Sequence, residues 1–449
     1  MPQLTPVDLG SPALCRTLLR IALPMVGGLT INAAHQGVDA YFVGQLGPLA
    51  LAAVSLALPL AGITAAIGVG LGVGCATHVA RALGADERGR AGEVASAAMG
   101  LCLVLAGAVA LGLWAGRAGF TALLGAGAEV APLAEAYLAI LAFSAGLGMV
   151  QILCDFTAIG EGNSRFSLMS LCLCFSLNIC LDPLLIFTAG LGVSGAALAT
   201  VLAQLVTLSL YLWYFARQKG TLRLRPSLGR RARAQLWPML RIGLPEAGSV
   251  LLASLAFVLL YRLAGQLEGA AGQAGLGIAL RLWLMASLPI EGFCLGAQPL
   301  LSYAAGRGDL QRLGQATSWI TGIAGMASLA MVALGAGVPE GLVQLFSGDP
   351  RVTALAVPAL GILTLSLPCV ALRHATQVLL QATLRVRLAA LLALAPLGWL
   401  LLPLLAGLVP TLGFDALALS LSAAALLTGI GAALILWLLS RPSPLGVFQ

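Results

Sequence analysis

An all-α polytopic membrane protein, with twelve transmembrane helices in two homologous six-helix lobes, is the fold class that the sequence predicts, and three observations predict it. The first is composition: 59% of the 449 residues are apolar and only 9% are charged, at a mean hydropathy of +0.99. So few ionisable side chains cannot cover a surface facing water, so most of the chain faces lipid. The second is the recurrence of apolar stretches of about 18 residues or more, each long enough to cross roughly 30 Å of hydrocarbon at about 1.5 Å per residue. The third is an internal repeat. Arg20-Ile21-Ala22-Leu23-Pro24 returns 221 positions later as Arg241-Ile242-Gly243-Leu244-Pro245, and Gly44-Gln45-Leu46 returns at the same offset as Gly265-Gln266-Leu267. A repeat of about 220 residues is far too long for a solenoid unit and suits a transporter built from two homologous bundles with a site between them.

The predicted spans cover 17–43, 47–78, 92–115, 132–158, 166–188, 193–216, 237–263, 272–303, 313–338, 352–381, 387–406 and 414–440. This gives an N-terminal lobe over 1–216, a linker over 217–236 and a C-terminal lobe over 237–449. The first span is no cleavable signal, because its apolar run passes Pro24, Asn32 and Asp39 to reach Phe42, too long for a signal-peptide core. The linker holds the one long polar stretch, with Lys219, Arg223, Arg225, Pro226, Arg230, Arg231 and Arg233. It reads as a solvated cytoplasmic retention signal that also has the composition to touch anionic headgroups.

Orientation follows from the basic residues, because short loops kept in the cytoplasm carry Lys and Arg. With both termini inside, nineteen of the 24 fall on the cytoplasmic side, from Arg16 and Arg20 through the linker to Arg385, Arg387 and Arg441. Outer loops keep Arg117, Arg262 and Arg351, while Arg281 and Arg373 lie within spans. The net charge of +7 is therefore mostly a matter of topology, and no soluble basic face exists to bind nucleic acid. The nine cysteines lie in or beside apolar segments with no CxxC. Cys75 and His78 lack a second pair to complete a metal site, and Cys172 and Cys174 do not share a helix face, so structural thiols are expected.

Ionisable residues inside spans carry the functional reading, since each costs several kcal/mol unless it faces a cavity or a partner. On the first helix Asn32, His35, Gln36 and Asp39, spaced by three, four and seven, stack on one face. On the fifth, Asn178 and Asp182 are adjacent in space, and Pro183 frees the carbonyl of Ile179 from its intrahelical donor. Asp39, Asp182 and Thr200 on the sixth helix all lie roughly 8 to 11 Å below the outer surface, counted at about 1.5 Å per residue. They can meet in one pocket, where two carboxylates cannot both ionise cheaply and take up a proton or a small cation as a coupled unit. Elsewhere, Glu246 follows Pro245 at a helix start that favours a carboxylate. Glu291, between Pro289 and Gly292, is either a substrate-cavity acid or a partner of Arg281 or Arg373. His78 and Glu161 read as interfacial.

From Ala22-Leu23-Pro24 through Val38-Asp39-Ala40-Tyr41-Phe42-Val43-Gly44-Gln45-Leu46-Gly47 to Leu51-Ala52-Ala53-Val54, the chain resembles the first-helix signature of the multidrug and toxic compound extrusion (MATE) transporters. Gly160-Glu161-Gly162-Asn163, Asn178 to Asp182-Pro183, and Gly192-Val193-Ser194-Gly195-Ala196-Ala197-Leu198-Ala199-Thr200 are similar to that family as well, and the resemblance runs along essentially the whole chain. It implies a V-shaped pair of lobes that export cationic or amphipathic compounds in exchange for protons or sodium, with no other cofactor. A branch similar to the DNA-damage-inducible F proteins places its coupling site in the N-terminal lobe. Asp39, Asn178, Asp182 and Thr200 match that branch, and His35, Gln36 and Tyr137 are expected to line the cavity. Asp155 departs from the pattern. With Gln151 four residues before it, Asp155 is either a third cavity acid or a lipid-remote hydrogen-bonding group.

Relatives that load the cation in the C-terminal lobe carry acids on helices seven and ten. Here Leu251-Leu252-Ala253-Ser254 has none, and helix ten reads Arg373-His374-Ala375-Thr376-Gln377, so His374 stands where an acid would be and Arg373 disfavours a cation. The expected function is secondary active antiport by rocker-type alternating access, exporting small cationic or amphipathic drugs from a bacterial inner membrane. The chain is expected to act as a monomer among membrane lipids, and not as an enzyme, because no acid-rich metal or diphosphate cluster is present. The proton is the favoured ion; with sodium, Asp39 and Asp182 would be the metal ligands. The alternative, a lipid-linked oligosaccharide or lipid flippase, calls for several cavity cations, and only Arg281 and Arg373 lie within spans.

Overall fold

A computed structural model of the chain describes residues 6–124 and 127–440, so Arg441, counted above among the inner cations, lies outside the described residues. These residues form helices and no strands, as expected where hydrocarbon offers no water to satisfy a free backbone group. The spans are α1 (Leu14–Gly44), α2 (Pro48–Ser55 and Leu58–Gly84), α3 (Arg88–Leu123), α4 (Ala131–Gly160), α5 (Ser164–Pro183, continued by a π-helical turn Leu184–Thr188) and α6 (Gly192–Ala216). A 78-residue helix, Arg230–Arg307, is broken at Gly269 (φ 62°, ψ −145°) into α7 (230–268) and α8 (270–307). There follow α9 (Leu310–Gly337), α10 (Pro350–Leu365 and Leu367–Ala382, bent by 41°), α11 (Val386–Leu394 and Leu401–Leu412) and α12 (Asp415–Ser440). Twelve spans result, at the positions expected from hydropathy.

The differences from hydropathy have local causes. Expected span 47–78 is interrupted before Leu58 because Pro59, in the first turn of the second segment, has no N–H to continue the first. Pro368 plays the same part at the bend of α10, and Pro396 and Gly398 lie in the turn that divides α11. Helices α3 and α7 begin at Arg88 and Arg230, several residues before their apolar runs. Hydropathy detects only the part of a helix within lipid. Arg231-Ala232-Arg233-Ala234-Gln235 is polar but has high helix propensity, so α7 takes up the end of the expected linker.

The described residues pack as two compact units, one holding 6–10 with those of Gly27–Val250, the other Ser11–Val26 with 251–440. Their boundaries cut α1 two residues after Pro24 and α7 five residues after Pro245. The first part of each repeat's first helix thus packs with the other repeat. The core of the first unit joins Leu71, Cys75, Met99, Leu153, Phe166, Tyr211, Tyr214 and Met239; that of the second joins Leu260, Leu276, Leu280, Leu363, Leu401 and Leu417.

Between helices in lipid the hydrophobic effect adds little, so close contact through small residues matters more. On α2, Gly68, Gly70, Gly72 and Gly74 divide into two faces, each of residues four apart. A Cβ on Gly70 would lie 2.8 Å from the carbonyl oxygen of Gly243 on α7, and one on Gly74 2.5 Å from that of Met239. The other face meets α4: a Cβ on Gly68 would lie 3.0 Å from Ile152, and one on Gly72 2.5 Å from the Phe156 ring. In the second unit, a Cβ on Gly296 of α8 would lie 2.8 Å from the Cα of Ala22 on α1. Ala22 is the repeat counterpart of Gly243, so the same crossing is made twice.

Gly70→Val is expected to destabilise the protein by about 1–3 kcal/mol by forcing α2 from α7. Gly107→Ala on α3, with nothing within 4 Å of the added methyl, should stay within about 0.5 kcal/mol of wild type. Thermal midpoints of the purified proteins in detergent compare the two, and an unchanged midpoint for Gly70→Val would refute the close crossing.

Candidate functional site

The first unit brings together His35 and Asp39 on α1, Tyr137 on α4, Asn178 and Asp182 on α5, and Thr200 on α6. Two local features of the chain make this possible. Pro183 ends the regular part of α5, and the next turn relaxes to π-helical spacing, with the N–H of Ala189 bonded to the carbonyl of Leu184 at 2.8 Å. Gly195 lets α6 press against that turn, since a Cβ there would lie 2.7 Å from the Leu185 carbonyl. Thr200, five residues further along α6, then reaches Asn178.

Asn178 is the centre of the cluster and is almost wholly buried, as is Asp182. Its amide can be set in two orientations, of which the second better satisfies the neighbours. In one, Nδ2 donates to Asp182 Oδ1 at 3.4 Å and to Thr200 Oγ1 at 3.3 Å, while Oδ1 meets His35 Nε2 at 2.5 Å. In the other, Nδ2 donates to Asp182 Oδ2 at 3.2 Å and to His35 Nε2 at 2.5 Å, and Oδ1 accepts from the N–H of Thr200 at 3.2 Å. In both, the amide nitrogen faces Asp182 and the amide oxygen is engaged. His35 is held from its other side by stacking on Phe175, with ring centroids 4.4 Å apart.

Asp39 lies one turn from His35, half-buried, and its charge acts on Asp182. Both carboxylates act on the Tyr137 hydroxyl, and Tyr137 is buried among Ala50, Ala57, Leu60, Val193 and Ala197. Gln36, expected on the same face, is exposed and does not join the cluster. The arrangement is two acids in a poorly solvated site, with one amide fixing the less exposed of them.

Asp155 belongs to a different system. It is buried, and its Oδ1 accepts from Ser167 Oγ at 3.0 Å, from Ser170 Oγ at 3.1 Å and from the Tyr211 hydroxyl. Three residues along α6, Tyr214 donates to Glu161 Oε1 at 2.6 Å. Glu161, in the turn after α4, is only 2% exposed. Its Oε2 accepts from Thr221 N at 2.7 Å, Thr221 Oγ1 at 3.1 Å and Leu222 N at 3.3 Å. Phe166 packs between the two tyrosines, edge-on to Tyr211 and stacked on Tyr214. Sequence reading found both acids and missed their donors. The available signals were the three-residue spacings of Ser167 with Ser170 and of Tyr211 with Tyr214, which place each pair on one helix face.

In the second unit, Glu291 and Arg373 both act on the thiol of Cys294, so they share one neighbourhood, while Arg281 is exposed beside Tyr261. Arg373 donates to Gln377 Oε1 at 2.8 Å and contacts His374 Nε2 at 2.6 Å. A guanidinium only donates, so His374 accepts there and is a neutral imidazole. Among the described residues, no group of three or more His, Cys, Asp or Glu side chains is placed to hold a metal ion.

Comparison with known proteins follows the same lines. The profile of the family described as MatE matches residues 24–184 and 245–404, two stretches that begin 221 residues apart. The multidrug export protein MepA of Staphylococcus aureus (strain NCTC 8325 / PS 47) is 27% identical over 434 residues, 94% of each chain. MepA of Staphylococcus haemolyticus (strain JCSC1435) is 28% identical over 392 residues, 87% of this chain and 86% of its own. Among solved structures, an outward-facing multidrug resistance MATE family transporter of the MOP superfamily superposes with a TM-score of 0.89 at 25% identity over 96% of both chains. A MOP superfamily transporter from Pyrococcus furiosus, described as having a binding pocket of reverse polarity, gives 0.88 at 25% identity over 97% of both.

The two acid systems should respond differently to substitution. Asp155→Ala removes the shared acceptor of Ser167, Ser170 and Tyr211 and should destabilise by about 1–3 kcal/mol, whereas Asp39→Asn should fall within about 0.5 kcal/mol of wild type; thermal midpoints measure both. Burial holds the Glu161 carboxyl above its ordinary value of 4.5 despite its four donors. A raised folded-state value means stability present below the unfolded value and lost as pH rises through the folded one. The midpoint of wild type relative to Glu161→Gln should therefore fall as the pH is raised, and a pH-independent difference would contradict a buried, titrating Glu161.

Proposed function

The chain belongs to the MatE family of transporters, and on that footing we propose that it is a multidrug efflux antiporter that expels organic cations or amphipathic compounds in exchange for protons by alternating access. It is a multi-pass membrane protein; a bacterial inner membrane, with both termini cytoplasmic, is the setting this reading assigns. The observation that carries the proposal is the pairing of Asp39 with Asp182 around Asn178. Asp182 is almost wholly buried beside Asn178, and the half-buried Asp39 is near enough for its charge to act on it, so the two acids can share one added positive charge.

The proton is preferred over sodium because of how Asn178 is set. In either amide orientation its nitrogen faces Asp182 and its oxygen is already taken by His35 or Thr200. The amide therefore offers the carboxylate a donor, which suits a carboxyl group that gains and loses a proton, and withholds the oxygen that a hard cation would seek. Protonation removes charge beside the Pro183 break, where the π-helical turn leaves the backbone freest to rearrange. Coupling requires only that the protonated and deprotonated states differ in their preference for the outward-open arrangement and in their affinity for substrate. Tyr137 and the His35–Phe175 stack add aromatic surface beside the acids, of the kind that binds organic cations.

Efflux of a fluorescent organic cation from proteoliposomes, driven in separate experiments by a proton or a sodium gradient, tests the proposal. The proton gradient should drive efflux, and Asp39→Asn should reduce it by about tenfold or more while the variant remains folded. Full activity in Asp39→Asn would remove the assigned site. Efflux driven by sodium alone would replace the proton, and no cation efflux under either gradient would favour the flippase reading.

A further inference from the structure

Between Ala216 and Arg230 the chain runs through a non-helical segment that bears no part in the acid site. It is nonetheless tightly fixed. Thr221 and Leu222 are bonded to the buried Glu161. Further on, Arg225 N donates to Ser96 Oγ at 3.0 Å and Ser227 N to the Ser96 carbonyl at 3.1 Å. Leu222, 2% exposed, is seated in the core with Phe166 and Tyr214, and Leu224 packs against the same core. Burial alternates along the strap: Leu222 and Leu224 point in, Thr221, Arg223 and Arg225 point out and are exposed.

The exposed side of the strap is strongly cationic. Arg223 and Arg225 are preceded by exposed Arg217 and Lys219 and followed by exposed Arg230 and Arg231, with no Asp or Glu anywhere from 217 to 241. Two indoles mark its level. Trp213 on α6 is 46% exposed and Trp237 on α7 is 60% exposed. Lys219 Nζ lies over the first ring at 5.7 Å from its centroid, and the Arg241 guanidinium over the second at 5.6 Å. Exposed tryptophans near the ends of spans settle at the headgroup level of a bilayer, so the cations stacked on them are held at that level too.

We propose that this strap is a binding surface for the headgroups of anionic phospholipids, such as phosphatidylglycerol, in the leaflet that it faces. Arginine forks match phosphate oxygens two at a time. Because Glu161 and Ser96 fix the backbone beneath them, little order is left to impose when the lipid binds. A lipid is favoured over a soluble anion because the flanking indoles set the cations where headgroups are concentrated and acyl chains can lie along α6 and α7. The proposal rests on the chain spanning a membrane and not on its coupling ion.

Native mass spectrometry of the full-length protein tests it, with the protein released from detergent after exposure to phosphatidylglycerol or to phosphatidylcholine of the same acyl chains. Wild type should retain phosphatidylglycerol preferentially. Removing a cation at the surface should weaken that retention by about fivefold, so Arg223→Gln should show that loss and Arg223→Gln with Arg225→Gln roughly its square, with phosphatidylcholine unaffected. Replacing both arginines by lysine should preserve the preference, which separates loss of charge from loss of fold. Equal retention of phosphatidylglycerol by the double glutamine variant and wild type would overturn the proposal. So would its complete displacement by equimolar inorganic phosphate, which would make the surface a free-anion site. No transport is measured, so either result leaves the antiport reading where it stood.

Discussion

Hydrocarbon cannot hydrogen-bond, and the rest of this structure follows from how the chain meets that constraint. The backbone meets it by being helical throughout the spans, with the exceptions confined to proline and glycine: the break before Leu58, the π-helical turn after Pro183 and the turn within α11. Side chains meet it by grouping. Asn178 reaches His35 of α1 and Thr200 of α6, and Asp155 reaches Ser167 and Ser170 of α5 and Tyr211 of α6, so the polar groups also specify which helices pack together.

The constraint is met in two different ways by the acids of that unit. Asp155 and Glu161 are sealed. Each takes a tyrosine of α6 as donor, and each takes at least two further donors, from α5 for Asp155 and from the strap for Glu161. Acceptors held by several donors in this way fix the helices and the strap that supply them. Asp182 takes a single amide donor, from Asn178, and feels the charge of the half-buried Asp39. The antiport proposed for this chain rests on this second, less fully bonded pair of acids.

Packing in lipid supplies the second layer. Because little hydrophobic force acts between helices there, approach distance matters, and the glycines of α2 bring its backbone against the α7 backbone and against the Ile152 and Phe156 side chains of α4. Repetition of the crossing at Ala22 and Gly296 explains why the sequence repeat is strongest around Pro24 and Pro245: these residues begin the helices whose first parts pack within the other repeat's unit.

Much of this was legible in the chain. Hydropathy located all twelve spans, since a helix crossing lipid must be apolar over its whole depth, and the rarity of charge made Asp39, Asn178 and Asp182 conspicuous. Spacing could place Asn178 beside Asp182, because both lie on one helix. It could not place Gln36 in the open and His35 against Phe175, since the two share a general face and only the neighbouring helix separates them. Nor could it tell that Asp155 is sealed by Tyr211, or that Glu161 fixes a strap sixty residues later in the chain, because a donor on another helix leaves no periodic mark in the sequence of its acceptor. Composition and period are properties of one segment and are read from it alone. Which donors each buried acid finds is a property of several segments together, and that was decided only by the tertiary structure.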